Sequence, residues 1–131
     1  MSTTLILEVE KNINFVELKR VLSAIKISNV SISENRFEAC FHETNVWLTA
    51  KTNLADSTVC AEELGEVKWE VGMRVFFNID PTISNALVDI KTFIFYLFET
   101  TSYEFVLSFQ YETLYARTLD GKLILSESMS S

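Results

Sequence analysis

The chain has little of what most enzyme sites are built from. It holds one histidine, two cysteines, three glycines and one proline in 131 residues. A serine or cysteine triad needs a histidine to move the proton, and His42 is the only candidate. Cys40 and Cys60 lack CxxC spacing, which excludes a zinc knuckle or dithiol redox motif; a disulfide between them and two buried free thiols both stay open. Glycines at 65, 72 and 121 are too scattered to cradle a phosphate, and there is neither a P-loop nor GxGxxG. So few Gly and Pro also argue against long linkers. No DxDxD-like run offers a cation site, so neither metal nor cofactor is expected.

Positive charge is short as well. Eighteen acids against eleven bases leave a net charge of −7. Such a chain repels phosphate backbones, so direct nucleic-acid binding is not expected, and a basic partner is favoured. No hydrophobic run reaches membrane-spanning length: Leu5–Leu7 is too short for a signal core, and Thr92–Phe98 has Asp89 and Lys91 just before it. The expected location is the cytoplasm, with no membrane partner.

What is present is patterned. Hydrophobic residues make up 48% of the chain, enough for one domain over residues 1–131 with a single core. Residues 126–131 are small and mostly polar and are expected to fray. Thr4–Glu10 reads as a strand with Leu5, Leu7 and Val9 inward and Ile6, Glu8 and Glu10 outward. Asn14 is an N-cap, with Glu17 at the capping-box position; Phe15, Leu18, Leu22 and Ile25 make the stripe of a first helix. Val30–Ser33, Arg36–His42 and Val46–Thr52 read as three short strands. Asn53–Gly65 is open between a loop and a short helix.

Val67–Asp80 alternates strictly. Lys68, Glu70, Arg74, Asn78 and Asp80 lie on the outer face, and Gly72 marks a bend or bulge. Asp80-Pro81 opens a second helix with core positions Ile83, Leu87, Ile90, Ile94 and Leu97. Phe93–Phe98 is apolar all round, which predicts cover by a loop or by a second copy, as a homodimer. Tyr103–Phe109, Thr113–Thr118 and Lys122–Ser126 close the chain as strands, with Asp120-Gly121 as a type I′ turn. The predicted fold is α+β, a mostly antiparallel sheet with two main helices packed on it, in the order β-α-β-β-β-β-α-β-β-β.

Chemistry is sparse on this frame. Cys40 and His42, two apart on a strand, share a face, but ordinary strand residues do the same. Glu8 with Glu10, and Glu70 with Asp80, read as solvated sheet acids rather than an acid–base pair. Trp47, Trp69, Tyr96, Tyr103, Tyr111 and Tyr115 lack the basic neighbours of a base-stacking platform. No catalytic residue is assigned.

The stretch from Met73 onward, MRVFFNID, then ISNALVDIKTFIFYLF, then FVLSFQYETLYARTLDGKLIL, resembles a segment of small bacterial immunity proteins. These protect cells from polymorphic or contact-dependent growth-inhibition toxins. Leu107, Phe109, Glu112, Leu114, Arg117, Gly121 and Leu123 carry the resemblance. It implies a non-enzymatic cytosolic inhibitor that binds one cognate toxin. The charge pattern adds a surface: Asp56, Glu62, Glu63, Glu66 and Glu70 with Trp69 are the expected partner-binding residues, suited to the basic cleft of a nuclease. A small-ligand or enzymatic domain, and a structural homodimer, are the alternatives.

Overall fold

Thr3–Glu10 (β1) is buried from Leu5 to Val9 without a break, so both its faces are covered and it belongs inside a sheet. In the computed structural model, which describes residues 3–62, 67–80 and 85–130, it lies there. The chain continues through α1 (Phe15–Leu22), β2 (Ile27–Ile32), β3 (Arg36–Phe41), β4 (Trp47–Lys51), β5 (Val71–Ile79), α2 (Ala86–Thr100), β6 (Phe105–Phe109), β7 (Thr113–Leu119), β8 (Lys122–Leu125) and α3 (Glu127–Ser130). The eight strands form one sheet in the order β2-β3-β4-β5-β1-β6-β7-β8, antiparallel at every pairing. The α+β class and the order of the main elements are as the sequence predicts.

Local chemistry explains most boundaries. The Asn14 side chain accepts the Glu17 backbone N–H at 2.9 Å and starts α1. The Glu17 carboxylate turns to the Tyr103 hydroxyl, 2.8 Å away, and so ties α1 to the segment before β6. The helix ends at Leu22, a turn before Ile25. The last carbonyls of α2 are met by threonines: Thr100 Oγ1 donates to Tyr96 O at 2.6 Å and Thr101 Oγ1 to Leu97 O at 2.7 Å. The predicted start of that helix, with Pro81 and Ile83, lies outside the described residues; the described helix begins at Ala86. Asp120 and Gly121 have φ of 52° and 75°, the pair of positive values that a type I′ turn demands.

One face of the sheet receives the helices. Leu5, Leu7, Val75, Phe77, Phe105 and Leu107 pack there with Leu18 and Leu22 of α1 and Ile90, Phe93 and Leu97 of α2. The rings of Phe77 and Phe93 meet nearly edge-on, 5.6 Å apart. Met129 on α3 is buried in the same core, against β7 and β8, in a segment whose small polar residues suggest fraying; Ser131 lies outside the described residues.

The sheet is bent where the sequence predicts. The β1–β5 register skips Gly72: Val9 faces Met73 while Glu10 faces Val71. A Cβ at Gly72 would lie 2.6 Å from Lys11 Cα, a backbone atom that cannot swing aside. Gly72→Ala is therefore expected to lower unfolding free energy by about 1–3 kcal/mol, read as a fall in the urea midpoint with unchanged slope.

Candidate functional site

The sheet face away from the helices is where structure and sequence part. Alternation put Glu8 and Arg74 on a solvated face. They face each across the β1–β5 ladder, and both are buried, Glu8 at 0% exposure and Arg74 at 7%. Their Nε–Oε2 distance is 3.2 Å. What covers them is the connection between β4 and β5. Glu8 accepts the backbone N–H groups of Cys60 at 2.8 Å and Ala61 at 3.1 Å. Arg74 donates from Nη1 to Asp56 O at 2.7 Å and from Nη2 to Thr58 O at 2.6 Å. Nη2 also lies 3.4 Å from Cys60 Sγ. Two buried charges thus neutralise each other and spend their remaining hydrogen bonds on loop backbone, which keeps their desolvation tolerable.

The outer side of this loop is acidic. Asp56 and Glu62 are exposed. The Asp56 carboxylate accepts both the Thr58 hydroxyl and its backbone N–H, an Asx turn that holds its carboxyl below the usual aspartate range, with Arg74 helping. Glu62 donates its backbone N–H to Tyr111 O at 2.6 Å. Gln110 and Tyr111 both have positive φ, 48° and 67°, so β6 and β7 are joined by a tight turn on residues that pay a steric cost there. Burial pushes the Tyr111 hydroxyl up, with Arg74 opposing and Glu8 adding to the rise. Tyr111 was not among the predicted site residues; the missing Asn or Gly at its turn was the available signal.

Of the six predicted partner-binding residues, Asp56 and Glu62 therefore ride on the latched loop. Trp69 is half-buried. Glu70 is exposed and forms a 3.3 Å ion pair with Lys11, which reduces its free charge. Glu63 and Glu66 lie outside the described residues.

The cysteines and the histidine form no joint site. Cys40 is buried and points its thiol at Asn45 Oδ1, 3.3 Å away, whereas His42 is exposed on the β3–β4 turn. Cys40 and Cys60 are both free. Burial pushes the Cys60 thiol up, outweighing the opposing pull of Arg74. Phe93–Phe98 is likewise divided: Phe93, Ile94 and Leu97 are buried, while Phe95 and Tyr96 stay exposed at 37% and 42%, uncovered by any described loop. Among the described residues there is no metal-binding group of three or more His, Cys, Asp or Glu, and no helix long and apolar enough to cross a membrane.

No protein-family model, curated protein or solved structure matches the chain.

Arg74→Met leaves Glu8 buried without its counter-charge and is expected to cost about 3–5 kcal/mol in chemical denaturation. Glu8→Leu with Arg74→Met should recover most of that loss yet release the loop, seen as faster hydrogen exchange at the Cys60 and Ala61 amides. With its thiol raised above the ordinary value, Cys60 is expected to react with an aromatic disulfide reagent at neutral pH more slowly than free cysteine, and to speed up as pH rises.

Proposed function

We propose that this protein is an immunity protein: it binds a cognate bacterial toxin in the cytoplasm and neutralises it, without catalysis, by covering a basic active-site surface. A nuclease is the toxin class whose cleft best fits an acidic cover. The observation that carries this reading is the latch beneath the acidic loop. Four hydrogen bonds from the Glu8–Arg74 pair hold the backbone of residues 56–61. An acidic surface held in one shape loses little conformational freedom on docking, and so retains more of its contact energy. The net charge of −7 adds long-range attraction to a basic partner. A long connection without α-helix or strand in its described parts is also where binding residues are commonly carried.

The enzymatic or small-ligand alternative would draw support from a pocket shared by His42 and a buried carboxylate. The buried carboxylate is Glu8, whose oxygens are taken up by Arg74 and two amides, and His42 stands on an exposed turn. No observation favours that reading.

The test is co-expression with any toxin that a neighbouring reading frame is found to encode. Wild-type protein is expected to restore growth and to bind the toxin domain one to one, with an association rate that falls as salt rises. Replacing Asp56, Glu62, Glu63 and Glu66 together by their amides should slow association about tenfold or more. Undiminished binding by that variant would rule out the acidic loop as the contact; no binding or rescue by the wild type would rule out the immunity reading itself.

A further inference from the structure

Helix α2 carries a second surface, on the side of the sheet opposite the acidic loop. Its outward stripe runs Val88, Lys91, Phe95 and Glu99, residues spaced by three and four and therefore stacked on one face. Val88 is 56% exposed, and Phe95 with the adjacent Tyr96 remains open to solvent. The Lys91 ammonium lies 6.0 Å from the centre of the Phe95 ring. Beside the stripe a cleft of about 530 Å3 separates Phe95, Phe98 and Glu99 from Lys122, Leu123 and Leu125 on the β8 side. Exposed Val88, Phe95 and Tyr96, set between a cation and an anion beside a partly apolar cleft, suit a partner that offers both apolar contact and opposite charge.

The order of charges along the stripe identifies that partner. Lys91 stands one turn before Phe95 and Glu99 one turn after it. Reversed and laid against itself, the stripe puts each cation on an anion and ring against ring. That is self-complementarity under a two-fold axis, the symmetry of most homodimers. Antiparallel helices also oppose their macrodipoles favourably.

We propose that the outward face of α2 is a homodimer interface, with two copies packing α2 antiparallel about a two-fold axis at Phe95 so that Lys91 of each meets Glu99 of the partner subunit. The wall formed by Phe98, Leu123 and Leu125 extends the apolar contact beyond the two helices. The acidic loop, on the other sheet face, stays outward in both copies, so the dimer neither requires nor obstructs the toxin-binding role.

Sedimentation equilibrium of the full chain tests this. Wild-type protein is expected to dimerise reversibly. Lys91→Glu and Glu99→Lys should each raise the dimer dissociation constant about tenfold or more, because each sets like charges against one another twice in the symmetric pair. The double variant K91E/E99K should return to within about threefold of wild type, since it restores both pairings in reverse. Phe95→Ser should abolish dimerisation while the far-ultraviolet circular dichroism of the monomer stays that of wild type. A wild-type monomer mass at every concentration up to millimolar, a dimer indifferent to the single reversals, or a double variant no tighter than the singles would each overturn the proposal.

Discussion

The Glu8–Arg74 ion pair is the contact on which the second face of the sheet depends. Neither side chain has another way to be satisfied at the centre of an eight-stranded sheet. Lifting the loop away would break four hydrogen bonds to its backbone and open Ile6 and Val106, both buried, to water along with the pair. Because the pair is fully desolvated, its net contribution to stability is small compared with the penalty for losing either member. Its effect is on specificity of structure: it selects one path for the β4–β5 connection over the many that a loop of this length would otherwise sample.

That choice divides the molecule into two sides. On one, α1 and α2 seal an apolar core around Phe37, Phe41, Phe77 and Phe93. On the other, polar groups pin a loop whose outer side is acidic. The first side supplies stability through packed area; the second trades some of it for a surface held in a defined shape. The turn at Gln110-Tyr111 belongs to this second side. Two residues with side chains sit in a conformation that Gly or Asn adopts more easily, and the Tyr111 carbonyl is held by the Glu62 amide. The backbone is kept in that conformation by its surroundings, at a steric cost that the contact with the β4–β5 connection offsets.

Helix α2 shows how one element can serve both core and surface. Its inward stripe is continuous with the sheet core. Its outward face keeps Phe95 and Tyr96 in water between a cation and an anion. A helix that needed only to cap the sheet would be stabilised by polar residues there. The two exposed rings and the charge order around them are what the homodimer reading explains.

The main elements and their order were legible in the sequence, because they follow from local physics. Alternation in Val71–Ile79, the 3.6-residue stripes of α1 and α2, the Asn14 cap and the Asp120-Gly121 turn are all decided within a few residues; Gly72 marked its bulge in the sequence, but the close approach of Lys11 that requires a glycine there is tertiary. Strand order was not legible, since pairing depends on contacts between distant segments. Nor was the fate of the polar face. Period-two alternation says which residues share a side, not what lies on top of it, and so Glu8 and Arg74 read like any wet acid and base. Their burial rests on hydrogen bonds and an ion pair spanning 52 and 66 residues of chain. Composition determined that this is an acidic chain poor in catalytic residue types, and its hydrophobic patterning that it is α+β. Only the tertiary structure, by laying one loop over two charges, decided which acids are structural and which face outward.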